Sequence, residues 1–259
     1  MNFFLLKEWL IYFHLKTDEH SLHSPFFFRF YKEHLKSGKN DAYIHSIETQ
    51  RQKLLKSEQT IEVQDLGAGS KTLKSDKRKI KDIAKNSLSS PKFSLLLNQL
   101  IKQFHFKQIV ELGTSLGVNT AYLADADTAS KIYTFEGDEN LIDIAKSTCA
   151  KYKNIQFIKG NINECLPHFL LDMASSIDLV YLDANHTYEA TLNYFNQLLP
   201  HHHSGSIFIF DDIHWSSGMK QAWKKIKQHP EVKSTIDIFD AGFVFFNPDF
   251  EKQHYILNF

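Results

Sequence analysis

From Lys107 onward the chain alternates short, apolar, β-rich runs with stretches of helical length, and few folds accept that pattern. The runs are Gln108–Leu112, Ile132–Glu136, Ile155–Lys159, Ile177–Leu182 and Ser206–Phe210. Strands separated by helices build βαβ units, which give a doubly wound parallel sheet with helices on both faces. Three later runs, Thr235–Phe239, Phe243–Phe246 and Tyr255–Phe259, lie too close together for helical crossovers, so at least one pair there must be antiparallel. Up to about Phe104 the pattern is helical, punctuated by turn signals at His23-Ser24-Pro25, Ser37-Gly38-Lys39-Asn40 and Ser89-Ser90-Pro91. The expectation is an α/β protein with a mostly parallel sheet and antiparallel C-terminal strands over residues 105–259. Residues 1–104 are expected to form a helical cap that serves the substrate or a dimer.

Composition narrows the partners. Thirty Lys plus Arg balance thirty Asp plus Glu across 259 residues, so there is no global positive field to draw in a phosphate backbone, and no nucleic-acid partner is expected. Two isolated cysteines, Cys149 and Cys165, do not make a disulfide framework and fit a reducing cytoplasm. The greasy start, Phe3-Phe-Leu-Leu-Lys7-Glu8-Trp9-Leu-Ile-Tyr-Phe13, is interrupted by charge and is too short for a membrane span. It reads as an apolar helix that docks on the body or on a second subunit, which makes a homodimer reasonable. A membrane-surface helix is disfavoured at this stage, because Lys7 and Lys16 supply little positive charge.

The sequence Glu111-Leu-Gly113-Thr114-Ser115-Leu-Gly117 follows an apolar strand and precedes the helix-like Val118–Ala126. Glycines there let the chain turn sharply and bring a ligand to the amides of a helix N-terminus. A dinucleotide site would want a third, regularly spaced glycine, and none follows. Gly113 to Gly117 also match a hydrolase nucleophile elbow with Ser115 as nucleophile and a late histidine such as His254, but the upstream strands and an oxyanion segment are missing. A third chemistry is methyl transfer, with the sulfonium and ribose of S-adenosylmethionine at this turn. It asks for an acid at the end of the next strand, where a carboxylate accepts both ribose hydroxyls, and Glu136 stands there. Glu111 would bear on the methionine amine directly or through water, and Gly160 and Asn161 at the third strand end would border the adenine. A second glycine turn, Asp65-Leu-Gly-Ala-Gly-Ser70, fails on its spacing to the next strand and is expected to be a lid or a solvent turn. Another reading altogether is a catalytically silent nucleoside-binding module.

Taken in order over Ser89 to Phe246, these motifs resemble the class I S-adenosylmethionine-dependent methyltransferases, nearest the catechol-type and macrolide-sugar O-methyltransferases. The N-terminal part, with His23-Ser-Pro-Phe-Phe-Phe, looks like uncharacterised bacterial relatives. The resemblance implies a Rossmann-like fold, a small-molecule hydroxyl acceptor, and cofactor contacts at Glu111, Gly113, Thr114, Ser115, Gly117, Glu136, Gly160, Asn161 and Asp183.

Two further strand ends carry acids, in Asp178-Leu-Val-Tyr-Leu-Asp183-Ala-Asn-His186 and Ile207-Phe-Ile-Phe-Asp211-Asp212-Ile-His214. In a doubly wound sheet these carboxylates are expected to converge beside the cofactor turn. Three carboxylates repel unless a cation or a proton relieves them, and hard oxygen ligands suit Mg²⁺ or a similar divalent ion. The resemblance likewise implies metal binding by Asp183, Asp211 and Asp212 and base catalysis by His186 beside Asp183. It departs at Asp211-Asp212, where catechol-type members carry Asp-Asn and the sugar branch often carries Glu-Asp. The competing expectation is that Asp183 and Asp211 cap the following helices. His214 is the reserve base, Trp215 a pocket-lining candidate, and Tyr188 and Trp223 are packing residues. The run His201-His202-His203 is expected to be a solvated turn.

Overall fold

In chain order the elements are α1 (Phe3–Leu15), α2 (Pro25–Phe30), α3 (His45–Lys56), β1 (Thr60–Glu62), β2 (Lys77–Lys79), α4 (Ile80–Ser87), α5 (Pro91–Phe104), β3 (Gln108–Leu112), α6 (Val118–Ala126), β4 (Lys131–Glu136), α7 (Glu139–Thr148), β5 (Ile155–Lys159), α8 (Ile162–Asp172), β6 (Leu179–Leu182), α9 (Tyr188–Leu198), β7 (Ile207–Asp211), α10 (Ser217–Gln228), β8 (Ser234–Asp237), β9 (Ala241–Phe245) and β10 (Gln253–Ile256). This is a computed structural model, and it describes residues 3–36, 44–63 and 76–259. The turn expected at Ser37-Gly38-Lys39-Asn40 and the second glycine turn at Asp65–Ser70 lie outside the described residues.

The chain divides into two compact units, a middle one of Asp41–Ala174 and a terminal one of Met1–Asn40 with Ser175–Phe259. In the middle unit β3, β4 and β5 pair in parallel, with Leu112 opposite Phe135 and Glu136 opposite Lys159. Ile109, Val110 and Leu112 are fully buried, as expected of a strand covered on both faces. Helix α5 starts where Ser90 accepts a hydrogen bond from the Phe93 amide and Pro91 occupies the first turn, the two signals that marked this boundary in the sequence. It buries Leu96, Leu97, Leu100 and Ile101. Arg51 on α3 is buried and donates to Glu48, to the Ser89 carbonyl and to Ser94, while Tyr122 of α6 donates to the same Glu48. Each nitrogen of that guanidinium thus meets an acceptor, as a buried charge requires.

In the terminal unit β6 and β7 are parallel, β9 runs antiparallel to both β7 and β8, and β10 returns parallel to β8. The antiparallel pairing required by the short connections therefore centres on β9. Helix α2 holds this sheet from one side: Phe27 and Phe30 are buried against Phe245, at 5.1 and 5.4 Å between ring centroids, and Phe27 also meets Tyr255 at 4.7 Å. Burying two such rings contributes about 1.5–3 kcal/mol each, which gives the His23-Ser-Pro-Phe-Phe-Phe segment a structural task. The strands β1 and β2 were not legible in a region that reads as helical. Their ladder is short and polar, with Glu62 near Lys77, so it lacks the alternating apolar signal of a half-buried strand.

Among the described residues no helix is long and apolar enough to cross a membrane.

Candidate functional site

The first cluster belongs to the middle unit. After β3 the chain passes through Gly113 (φ 105°), Ser115 (φ 48°) and Gly117 (φ 78°) before α6 begins. Gly117 is required twice over: its φ is left-handed, and a Cβ there would sit 2.8 Å from the Ala145 Cα. That close approach seats the N-terminus of α6 against α7. Glu136, at the end of β4, receives the turn. Its Oε2 accepts from the Ser115 amide at 2.8 Å, and its Oε1 accepts from the amides of Gly137 and Asp138 at 2.8 and 3.0 Å. Burial raises the Glu136 pKa even though these amides pull the other way. The two acceptor sites of Oε1 are filled, and Oε2 keeps room for one more donor.

Beneath the turn lies a buried hydroxyl relay. Thr114 Oγ1 is 2.5 Å from Thr134 Oγ1, and Thr134 and Thr120 both donate to Glu111 Oε2, at 2.6 and 2.5 Å. Glu111 has no exposed surface. It grips β4 and α6 from β3 and so sets the shape of the turn, with Thr114 held in the same relay. Gly160, with φ 132°, follows β5, and Asn161 caps α8 by accepting from the Asn163 amide. The Ser115 hydroxyl lies 3.0 Å from that of Ser87. A serine nucleophile needs an imidazole in that place, and the late candidate His254 is bonded to Thr235 at 2.9 Å.

The second cluster belongs to the terminal unit. Asp183 follows β6, Asp211 ends β7, and Asp212 adopts a left-handed φ of 54°. They converge, as the strand ends required. The buried Tyr181 hydroxyl lies 3.1 Å from Asp183 Oδ2 and 3.3 Å from Asp211 Oδ2. His186 Nε2 lies 3.4 Å from Asp183 Oδ1 and 3.9 Å from Asp212 Oδ2. The caps of the following helices are other residues: Thr187 accepts from the Ala190 amide and Ser216 from the Met219 amide. Asp183 and Asp211 are thus free of the capping role that competed for them.

Electrostatics separates the members of this cluster. Burial pushes the Asp211 carboxyl well above the usual aspartate range, and the charges of Asp183 and Asp212 push it further. Asp212 is raised to about 6, by burial first and by Asp183 and Asp240 next, against the opposing pull of His186. For His186 burial works against the charged ring, but the hydrogen bond and charge of Asp183, with Asp212, outweigh it and raise the pKa. The cluster therefore favours holding protons on Asp211 and on His186. Among the described residues no set of three or more His, Cys, Asp or Glu side chains is arranged to hold a metal ion. The Asp183 and Asp211 carboxylates turn toward one tyrosine hydroxyl, an arrangement that must open before the two can share a cation. Among the described residues His186 Nδ1 is buried without a hydrogen-bond partner.

Tyr181 was not singled out from the sequence, although a signal was present. It stands two residues before Asp183, and period-two alternation puts both side chains on one face of the strand. His214 faces elsewhere: Nε2 is 2.8 Å from Asp237 Oδ2, Nδ1 is 3.5 Å from Glu8 Oε2, and the ring stacks on Phe239 at 5.3 Å. Trp215 is partly exposed, and Trp223 is buried beneath Gly242. His202 and His203 bond to the Leu199 carbonyl and to Asp178.

Residues 110–213 match a protein family described as a methyltransferase domain. No curated protein matches the chain in sequence. Among solved structures, the chain is similar to an O-methyltransferase of tomaymycin synthesis from Streptomyces achromogenes in complex with S-adenosylmethionine, with 19% identity over 62% of this chain and 82% of that one and a TM-score of 0.54. It is similar to an O-methyltransferase from Bacillus cereus in complex with S-adenosylhomocysteine, with 20% identity over 61% and 83% and a TM-score of 0.53. It is similar over a longer span to an S-adenosylhomocysteine-bound methyltransferase from Podospora anserina, with 14% identity over 87% and 97% and a TM-score of 0.58.

Proposed function

Because residues 110–213 match a methyltransferase-domain family and the fold is similar to that of solved O-methyltransferases, we propose that the chain transfers the methyl group of S-adenosylmethionine to a hydroxyl of a small-molecule acceptor. The observation that carries this reading is Glu136. A carboxylate held by three backbone amides at the end of the second strand is built to accept a ribose hydroxyl without paying to reorganise itself. Gly113, Ser115 and Gly117 border the donor on one side, and Gly160 and Asn161 border its adenine. Glu111 and Thr114 act from below, through Thr120 and Thr134.

The donor supplies an activated methyl group on a sulfonium. The acceptor oxygen attacks the methyl carbon as the carbon–sulfur bond breaks, the bond electrons return to sulfur, and the acceptor proton must go to a base. His186 takes that proton. With Nε2–H directed at Asp183 Oδ1, the lone pair is on Nδ1, the nitrogen without a protein partner among the described residues. Asp183 orients the ring and makes it more basic, as a carboxylate behind a catalytic imidazole does. The two free thiols, Cys149 and Cys165, accord with a reducing cytoplasm.

Isothermal calorimetry with S-adenosylmethionine tests the first half of the proposal, and absence of binding would remove it. Binding without turnover on any phenol, sugar or amine would instead leave a silent nucleoside-binding module. Assistance by a divalent cation on Asp183, Asp211 and Asp212 is a second reading, favoured by the mutual repulsion of three acids in one cluster. It requires those carboxylates to turn away from Tyr181. Its signature is turnover that EDTA abolishes and Mg²⁺ restores.

A further inference from the structure

Helix α1 is mounted inside out. Its buried side chains are Glu8 and Tyr12. Glu8 pairs with Lys220 at 2.7 Å, and the Tyr12 hydroxyl donates to the Leu257 carbonyl at 2.6 Å while its ring packs on Phe239. The outward arc is apolar. Phe3, Leu6, Leu10 and Phe13 recur at steps of three and four residues, which places them along one stripe of the helix, with Trp9 stacked on Phe13 beside it. Phe3 is 81% exposed, Leu10 53% and Phe13 54%.

We propose that α1 is a membrane-surface helix that seats this stripe in an anionic lipid leaflet. Lys7 and Lys16 are by themselves little positive charge; what the fold adds is that the one acid of α1 is turned away from them. The ionisable side chains that α1 turns outward are basic, Lys7 and His14, and Lys16 follows with its ammonium 4.6 Å from the Phe13 ring centroid. The one acid of the helix, Glu8, is turned inward and neutralised. The acids that come next are engaged in their own turn, Asp18 with the His20 amide and Glu19 with Lys36. Antiparallel pairing of two α1 helices would give Lys7 of each copy no acid on the other helix to meet it, whereas anionic headgroups neutralise it. Area points the same way. Scaling roughly 150–250 Å² for each aromatic side chain, and less for each aliphatic one, by these exposures, the stripe amounts to roughly 450 Å². A stable self-pairing interface needs about 800 Å² per partner. An apolar stripe with basic residues beside it is the kind of surface that seats reversibly at a lipid interface.

The test is co-sedimentation of the full chain with vesicles, read as the fraction bound and independent of turnover. Vesicles of phosphatidylcholine containing phosphatidylglycerol as the minor lipid are expected to pellet the protein at about 0.1 M salt and to release most of it near 1 M, where the screening length falls from about 10 Å to 3 Å. Pure phosphatidylcholine is expected to bind it far less. Leu10→Glu, with a circular dichroism melt as the fold control, is expected to weaken binding about tenfold or more. Lys7→Glu is expected to weaken binding to the anionic vesicles alone. Equal binding to both lipids, or none to either, overturns the proposal. So does sedimentation of the wild type as a dimer that Leu10→Glu converts to monomer, since that result gives the stripe to a second copy of the chain.

Discussion

Glu136 and Asp211 are both carboxylic acids at the ends of central strands, and burial raises both their pKa values. Their surroundings differ. Glu136 is met by three backbone amides, whereas Asp211 is met by one tyrosine hydroxyl and two other acids. Amide donors favour the charged form and hold it in one orientation, while neighbouring acids favour a proton. The lesson is that a carboxyl at the same kind of strand end is fixed as an acceptor in one unit and pushed toward its protonated form in the other. The first suits a ligand that brings hydroxyl donors; the second suits a step that moves a proton.

The largest effect that would break this comparison is at the proton-handling end. His186→Gln is expected to lower kcat by about 10²–10⁴-fold while leaving S-adenosylhomocysteine affinity unchanged in calorimetry; a loss of affinity of similar size would place His186 with the ligand-holding group instead. Next comes Glu136→Ala, which removes the acceptor of three amides. It is expected to weaken S-adenosylmethionine binding by about 100-fold and to lower the melting temperature, because each stranded donor costs about 1–3 kcal/mol. Asp183→Asn sharpens the comparison through pH. The wild-type His186 pKa is raised, so kcat/KM is expected to climb as pH passes upward through a value above 6.5. Without the Asp183 charge that limb is expected to move to lower pH, with a reduced plateau.

The smallest effect concerns stability. The folded chain holds the Asp211 proton to higher pH than the unfolded chain does. The stabilisation associated with that proton is fully present below about pH 4, the unfolded aspartate range, and is lost as pH rises toward the folded value. Asp211→Asn should therefore match the wild type near pH 4 and exceed it by about 1 kcal/mol near pH 8 in thermal melts. Equal stability at both values would mean that the acids of this cluster do not repel.

The parts of the site that were legible in the sequence are those fixed by local rules. Two glycines after an apolar run, an acid ending the next strand, and acids ending two later strands each mark a strand terminus, and in βαβ units ligand-facing residues stand at such carboxyl ends. Tyr181 was missed because a tyrosine inside Leu-Val-Tyr-Leu reads as core, and only its side-chain hydroxyl, two positions from Asp183, makes it polar company for the acids. Glu111 is expected from its place beside the turn to bear on the methionine amine directly or through water; its burial beneath Thr120 and Thr134 is a setting that linear order does not reveal. His214 looked available beside Asp211-Asp212, yet it is committed to Asp237 and Glu8, which lie far away in sequence.

By itself, then, the sequence determined the alternation of strands and helices from Lys107 onward and the acids at the strand ends, because hydrophobic period, caps and turn residues act over a few positions. Tertiary structure alone decided that the first forty residues join the last third of the chain in one unit and that α1 turns Glu8 inward and Phe3, Leu10 and Phe13 outward. It also decided which acids burial and neighbouring charge push upward. Those outcomes depend on which distant groups come within a few ångströms, and burial and charge act through space rather than along the chain.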